Sequence, residues 1–171
     1  MPESTDALPE PGAVARARGD VKPIPESTMR WVKPIMRWMS KANVWVYEKT
    51  DGRVWGTFPG GAPICLVTMR GRKTGAVRTI PLIYLPHLDD VILVASQGGM
   101  AKHPVWYHNI KANPDLEIQD GARKRKMRAR QATDEEKKVL WPHILGIYPD
   151  FEDYQARTDR NIPMFICSPV D

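Results

Sequence analysis

The sequence contains little of what exported, membrane-spanning or disulfide-stabilised proteins need. It has only two cysteines, Cys65 and Cys167, and each lies in an apolar run. No apolar run approaches the roughly 20 residues that a transmembrane helix requires. No apolar signal-peptide segment lies near the N-terminus. We therefore expect a cytoplasmic protein with two reduced, buried thiols, because a cysteine pair in that compartment is rarely a disulfide.

Common catalytic motifs are also missing. The four histidines, at positions 87, 103, 108 and 143, have no metal-binding spacing, and no Cys pair accompanies them. The nucleophile motif Gly-x-Ser-x-Gly does not occur. Strands do not alternate singly with helices, as they would in a dinucleotide-binding fold. We therefore predict neither a metal site nor a serine-hydrolase or Rossmann enzyme.

The charge balance favours an anionic partner. The formal net charge is +5, and a basic balance of this size is compatible with a phosphorylated cofactor, an anionic lipid surface or a nucleic acid. The basic run at 123–130 would alternate Lys126 and Arg128 outward with Met127 and Ala129 inward along a strand. This alternation is typical of a solvated sheet face, so we predict no nucleic-acid partner.

Two segments precede the predicted main domain. Residues 1–26 contain five prolines and few large apolar side chains, so we predict a disordered or loosely docked tail. Residues 27–51 place Met and Trp beside a basic side, with Pro34 as a kink or a helix start. This amphipathic N-terminal helix could pack on the core, or it could lie on the cytoplasmic face of the cell membrane as an interfacial helix.

Residues 52–171 predict one α+β domain. Strands are expected at 63–69, 76–85, 91–95, 116–119, 123–131 and 162–168. Pro81 suggests that the second strand lies on an edge or contains a bulge. Helices are expected at 104–111, from a Thr133–Glu136 capping box to 146, and at 151–160 with Asp150 as the cap. This order favours a mainly antiparallel sheet that forms a closed or split barrel.

Two stretches suggest an anionic ligand with a flat part. The loop 70–75 and the residue Arg78 bring several cations around a tight turn, which suits a phosphate or a carboxylate. An ordinary exposed hairpin would have the same composition. The turn 96–99 would let a ligand approach the backbone, since glycine has no Cβ.

Aromatic residues mark two further candidate surfaces. Trp106 and Asn109 share one helix face and could hold a planar heterocycle, although core packing of Trp106 explains the pattern equally well. Tyr148, Phe151 and Tyr154 could wall an apolar pocket for a planar substrate, or they could simply pack a surface helix.

Together these stretches resemble the deazaflavin-dependent nitroreductase family of actinobacteria. Its members are quinone and nitroimidazole reductases that use the reduced 8-hydroxy-5-deazaflavin coenzyme F420. The similarity lies in GRKTG at 71–75, RTIPL at 78–82, VASQGG at 94–99, KHPVWYHNIKANP at 102–114, ATDEE at 132–136 and YPDFEDYQARTDRNIP at 148–163. It implies a split β-barrel like that of FMN-binding proteins.

The resemblance also implies an oxidoreductase that transfers a hydride from reduced coenzyme F420 to a planar electrophilic acceptor. A quinone is the expected acceptor, with nitroaromatics as a second class. An FMN-dependent split-barrel reductase and a non-catalytic cofactor or lipid carrier are the alternatives. The oligomeric state stays open.

The resemblance carries roles for individual residues. Ser96 would lie near the reacting end, and we expect Ser96, Tyr148 or a bound water to polarise or protonate the acceptor. The acceptor would lie beside Ile83, Tyr148, Phe151 and Tyr154. The cofactor would be held by Arg72, Lys73, Thr74, Arg78, Thr79, Ile80, Pro81, Val94, Ala95, Ser96, Gln97, Val105, Trp106, Tyr107, His108 and Asn109.

Three positions depart from the family pattern. Gln97 stands where a Lys can occur, Ile83 where a Tyr can follow Pro-Leu, and Phe151 where a Tyr hydroxyl can occur. The last two bear on whether nitroimidazoles are reduced. None of the three changes the cofactor class.

Overall fold

The computed structural model describes residues 42–170. The predicted tail 1–26 and residues 27–41 of the predicted helix lie outside the described residues. The described part runs in this order: α1 (42–50), β1 (Ile64–Arg70), β2 (Val77–His87), β3 (Asp90–Val94), a 3-10 turn (Gln97–Gly99), α2 (Val105–Ala112), β4 (Asp115–Asp120), β5 (Arg123–Gln131), α3 (Asp134–Ile147), α4 (Asp150–Ala156) and β6 (Met164–Pro169).

The strands close into one antiparallel barrel in the order β1-β2-β3-β6-β5-β4. The barrel closes because β4 pairs with β1 as well as with β5. Closure protects the strand edges that an open sheet would expose. The barrel and its helices confirm the predicted α+β fold class of split-barrel type.

Alternation along each strand separates an inner from an outer core. The barrel interior is filled by side chains such as Val67, Leu93, Ile118 and Phe165, and α2 adds Tyr107 and Ile110 to the same cluster. The outer faces of β2, β3 and β6 are covered by α3 and α4. On β5, Met127 and Ala129 are buried while Lys126 and Arg128 are exposed, so the predicted alternation is confirmed.

Both cysteines lie inside the barrel as free thiols, which confirms the expectation of reduced core residues. Burial raises the pKa of Cys65, and the neighbouring Cys167 adds to that shift. Burial also raises the pKa of Cys167 to about 12. Both thiols are therefore held in the neutral form, which is the form that an apolar interior favours.

The barrel is split along the first half of β2. The strand pairs with β1 from Val77 to Ile83, but it pairs with β3 only from Tyr84 to His87. Within the described residues, no strand pairs with the β3 side of residues 77–83. We call this side the free edge of β2. It exists because the chain leaves the sheet after Val94 instead of continuing β3.

Pro81 lies on this free edge. Hydrogen bonds from Gly71 N–H to Ala76 O and from Tyr84 N–H to Pro63 O make the Leu66–Pro81 pair a non-hydrogen-bonded one. The nitrogen of Pro81 therefore faces away from β1, where no ladder partner is lost. The predicted edge is thus confirmed locally, whereas the predicted bulge is wrong because the register from 64 to 70 is continuous.

Helix α1 packs on the barrel through Tyr47, which is 1% exposed. The Tyr47 hydroxyl donates to Ile64 O at 2.9 Å and accepts from Gly121 N–H at 2.9 Å. The helix ends at residue 50, one residue before the predicted end at 51, because Asp51 and Gly52 both have positive φ, at 49° and 72°. The N–H of Gly52 donates to Tyr47 O. The predicted division of the chain into a tail, a helix and a main domain at 52–171 stays a prediction.

The helix ends include one confirmed and two shifted assignments. Thr133 and Glu136 form the predicted capping box. Asp150 is not the cap of α4: Pro149 holds that position with helical backbone angles and no side-chain bond, so the helix starts one residue early. Pro104 is the N-cap of α2 and not its first helical residue, because its ψ of 153° is extended.

Candidate active site

The loop between β1 and β2 is a closed turn with outward cations. Gly71 N–H donates to Ala76 O and Gly75 N–H donates to Gly71 O, both at 2.8 Å. Arg72, Lys73 and Arg78 are exposed. None of the three has an ion pair within residues 42–170. A cluster of unpaired cations at one end of the free edge of β2 suits an anionic ligand.

Helix α2 supports this loop. The side-chain oxygen of the buried Asn109 accepts the backbone N–H of Arg72 at 3.1 Å. Trp106 packs against Phe165 in the barrel interior, with ring centroids 5.9 Å apart. Both side chains therefore have contacts within the protein, and for Trp106 these contacts are the core packing that the sequence left open. Val105 is exposed and His108 is half-buried.

The turn after β3 has an unusual backbone. Gln97, Gly98 and Gly99 all have positive φ, at 48°, 63° and 78°. A Cβ on Gly98 would meet nothing within 4 Å, so its backbone is open to a ligand. A Cβ on Gly99 would clash with the Tyr154 carbonyl oxygen and lie 2.8 Å from Arg157 Cβ. Gly99 thus serves the close approach of α4 and not that of a ligand.

Arg160 holds this turn by hydrogen bonds to its backbone carbonyls. The sequence predicted no role for Arg160. Its guanidinium donates to Met100 O at 2.8 Å, to Ala95 O at 3.1 Å and to Ser96 O at 2.5 Å. The only available signal was its place in the motif at 148–163. The hydrogen bonds join residues 60 to 65 positions apart, which no local pattern records.

Ser96 is a buried residue of this turn. Its carbonyl is used by Arg160 and by Gly99 N–H. Its hydroxyl does not cap the 3-10 turn, and it makes no hydrogen bond within the part of the chain that the structure describes. A hydroxyl on a largely buried residue beside the open backbone of Gly98 is suited to a ligand oxygen.

The predicted aromatic residues form one cluster. Ring centroids are 5.1 Å apart for Tyr148–Phe151, 5.9 Å for Phe151–Tyr154 and 6.1 Å for Tyr148–Tyr154. The Tyr148 and Tyr154 hydroxyls are 3.1 Å apart. Burial raises the pKa of Tyr148, and the hydrogen bond with Tyr154 raises it further. Tyr148 therefore keeps its proton at neutral pH.

Phe58 joins this cluster edge-on, with its ring 5.5 Å from that of Tyr148. Sequence analysis did not single it out, since it lies in an irregular Gly-rich segment. Ile83 packs against the same cluster and also against the residues under α1. Tyr84 faces the barrel interior, and its hydroxyl donates to Asp120 at 2.5 Å.

The predicted residues thus fall along one path. The cationic loop lies where β2 begins, and the turn 96–99 follows the point where β3 leaves β2. Helix α4 then packs against that turn. Along β2, Arg78 and Ile80 lie on the same side of the sheet as Met69 and Val67, although Arg78 is exposed near the start of the strand, whereas Thr79 and Pro81 lie on the opposite side. A ligand on the free edge would therefore meet this segment through its backbone more than through one row of side chains.

Thr74 and the remaining predicted cofactor residues have these places. The Thr74 hydroxyl accepts Ala76 N–H at 3.3 Å within the cationic loop. Val94 is buried against α3 and α4, and Ala95 is buried in the barrel interior. Tyr107 is buried and stacks on His103, with ring centroids 4.1 Å apart.

Comparison with known proteins identifies the chain. Residues 38–169 match the model of the F420H(2)-dependent quinone reductase family. A putative F420H(2)-dependent quinone reductase of Mycobacterium tuberculosis is 39% identical over 117 residues, which cover 68% of this chain and 98% of the relative.

Two solved structures agree. One is described as an F420-H2 dependent reductase; it is 41% identical, covers 62% of this chain and 94% of its own, and superposes with a TM-score of 0.59. Another, described as a domain-swapped dimer, is 36% identical, covers 78% of this chain and 98% of its own, and has a TM-score of 0.61. The predicted resemblance is confirmed, and the chain belongs to the F420H(2)-dependent quinone reductase family.

Proposed function

We propose that this chain holds reduced coenzyme F420 along the free edge of β2, with a quinone acceptor beside the aromatic cluster of α4. Family membership makes the chain an oxidoreductase that takes a hydride from reduced F420 and reduces a quinone, as the motifs predicted. The single observation that carries the proposed location is the free edge of β2 at residues 77–83, which no strand of the described residues pairs with on the β3 side.

The residues along the free edge of β2 fit the coenzyme. Arg72, Lys73 and Arg78, which have no ion pair within residues 42–170, supply positive charge at one end for a phosphate and an acidic tail. The open backbone at Gly98 leaves room for a flat ring. The bound coenzyme supplies the hydride, and the protein supplies position and exclusion of water.

After a quinone has accepted a hydride, it needs one proton on oxygen to become a hydroquinone. We assign the polarising contact to the Ser96 hydroxyl, which has no hydrogen-bond partner within residues 42–170. Tyr148 is the second candidate, because its hydroxyl lies in the aromatic cluster; with its raised pKa it would polarise the acceptor as a hydrogen-bond donor and not as an acid. Phe58, Phe151 and Tyr154 would exclude water from the acceptor.

The proposal is tested with purified protein, reduced F420 and menadione, by following the appearance of oxidised F420. We expect oxidation well above a protein-free control. We expect Arg72→Glu together with Arg78→Glu to weaken F420 binding by at least tenfold, because each change reverses a charge at the anion site. Arg128→Glu, on the outer face of β5, is the matched control. Unchanged F420 binding in the double variant would contradict the assigned location. A binding titration with FMN in place of F420 tests the alternative that the barrel uses a flavin.

We propose nitroaromatic compounds as a weaker acceptor class. Ile83 and Phe151 line the acceptor cluster without a hydroxyl, so fewer donors are available for nitro oxygens than for one quinone carbonyl.

Ser96→Ala should lower turnover with menadione more than tenfold if its hydroxyl polarises the acceptor. Equal turnover with Ser96→Ala would transfer that role to Tyr148.

We further propose that the enzyme meets its quinone at a lipid surface. Trp45 and Trp55 are 63% and 49% exposed, and Phe58 continues this apolar stretch to the ring of Tyr148. Lys49 and Arg53 are exposed in the same stretch. Exposed tryptophan beside basic residues suits the headgroup region. No helix within residues 42–170 is long and apolar enough to cross a membrane.

Co-sedimentation with anionic and neutral vesicles tests this contact. We expect recovery with anionic vesicles to fall severalfold in a variant with Trp45→Ser and Trp55→Ser. Leu88→Ser is the matched control, because Leu88 is equally apolar and 74% exposed at the β2–β3 turn. Near-zero recovery of the unmodified protein with both vesicle types would contradict the proposal.

A further inference from the structure

Arg160 donates hydrogen bonds to backbone carbonyls at the turn that follows β3, where strand pairing has ended. The strand leaves the barrel after Val94, and the carbonyls of Ala95, Ser96 and Met100 all turn toward one guanidinium. A planar group with five donors can hold several carbonyls in fixed directions, which a lysine ammonium cannot do. The turn therefore takes its shape from a residue on the segment between α4 and β6.

His103 completes the set of groups around Arg160. Its Nδ1 lies 3.2 Å from Arg160 Nη1. Because a guanidinium has donors only, Nδ1 must be the acceptor of this bond, and His103 must be neutral with its proton on Nε2. Protonation of Nδ1 would place two donors and two positive charges against each other.

The titratable and charged groups that act on His103 are all basic side chains. Arg160 faces it from the segment after α4, while His108 and Lys111 face it from α2. Tyr107, also on α2, stacks on its ring at 4.1 Å. Burial lowers the pKa of His103, and repulsion from these three basic side chains lowers it further. No carboxylate in the described part of the chain contributes to this shift, so nothing there offsets the cost of a second positive charge.

We propose that Arg160 is a positioning residue for the reaction, holding the turn 96–99 in the shape that receives the cofactor, and that it does so only while His103 is neutral. The proposal rests on the cofactor location given above. Neither side chain is assigned contact with the reacting atoms. Their effect passes through the carbonyls of Ala95, Ser96 and Met100, and hence through the backbone of Gly98.

The test measures the affinity for oxidised F420 from its fluorescence between pH 5 and pH 8. Proteins to compare are the unmodified chain, Arg160→Gln, Arg160→Lys and His103→Asn. Asparagine offers an acceptor oxygen close to the place of Nδ1 and does not titrate. We expect the unmodified protein to lose about tenfold in affinity at the acid end relative to His103→Asn, the effect of one lost hydrogen bond.

The variants of Arg160, measured at pH 8, test whether the turn requires the planar guanidinium with its several donors. We expect Arg160→Gln and Arg160→Lys to bind F420 at least tenfold more weakly than Arg128→Gln, an exposed arginine control on β5. Thermal unfolding of the same proteins without ligand shows which of them are folded. Should both Arg160 variants fail to fold, the comparison of His103→Asn with the unmodified protein still decides.

Each remaining outcome is decisive. Parallel pH dependence in the unmodified protein and His103→Asn would assign the acid loss to the ligand and overturn the role of His103. Folded Arg160→Gln that binds like Arg128→Gln would overturn the role of Arg160. An unmodified protein that fails to bind F420 at any pH would instead overturn the proposed function, which separates the two failures.

Discussion

At the scale of single residues, Asn109 shows how a buried amide supports an exposed site. It is 4% exposed and accepts the N–H of Arg72. An exposed cationic loop would otherwise sample many conformations, and ordering it on binding would reduce affinity. The interaction fixes the start of the loop before any ligand arrives. Asn109 thus acts on the anion site without presenting a charge to it.

Asn109→Ala should therefore affect both stability and binding. The Arg72 N–H would lose its acceptor, so we expect the free energy of unfolding to fall by about 1–3 kcal/mol. We expect F420 affinity to fall about tenfold, because the loop would be ordered only on binding. Urea unfolding and fluorescence titration measure the two effects. Asn113→Ala, at the C-cap of the same helix, is the control. Equal F420 affinity in the two variants would show that the loop does not depend on Asn109.

At the scale of elements, the packing of α4 on the turn 96–99 joins the turn that we propose for the cofactor to the aromatic cluster that we propose for the acceptor. Gly99 makes this approach possible, since a side chain there would meet the backbone of Tyr154. Arg157 extends the contact by donating to Gly98 O at 3.4 Å. The aromatic cluster proposed for the acceptor is thereby packed against the turn that contains Ser96.

Gly99→Ala should separate the two elements. Both this variant and Gly98→Ala pay the backbone cost of a positive φ, which is roughly 1–2 kcal/mol. Only Gly99→Ala adds a clash with α4, for which we expect a further 1–3 kcal/mol or so. Urea unfolding of both unliganded proteins gives the difference. Equal loss of stability in the two variants would mean that α4 can shift at little cost.

At the scale of the whole molecule, the closed barrel is the unit that keeps both thiols unreactive. Cys65 and Cys167 lie on different strands of one interior and are fully buried. Thiolate formation is opposed by the same burial that stabilises the fold. Their exposure therefore requires the barrel to open.

We expect both thiols to react with a disulfide reagent at pH 8 only as the protein unfolds. With the pKa of Cys167 near 12, its thiolate fraction at pH 8 is on the order of one in ten thousand. Absorbance of the released thiol, followed at increasing urea concentrations, measures the reaction. The unfolded protein should release two equivalents, one for each cysteine. Fast reaction of one thiol at a rate independent of urea would show that the interior opens locally.

Local signals determined a large part of this molecule. Period-two alternation in strands such as β5 and the Thr133–Glu136 capping box depend on neighbours a few residues apart, so the sequence predicts them. The ordered motifs from GRKTG to RNIP also predict the family and its cofactor. The cap at Asp150 failed because Pro149 adopts helical angles one residue earlier, which composition does not reveal.

Only the tertiary structure decided which residues meet. That Arg160 shapes the turn 96–99, that Gly99 admits α4 and not a ligand, and that Phe58 joins Tyr148 all depend on contacts between distant parts of the chain. The free edge of β2 likewise follows from where β3 leaves the barrel. Sequence periodicity records the face on which a side chain lies, because that is set by the backbone repeat. It does not record the partner across a closed barrel, because register and closure depend on the packing of all the strands together.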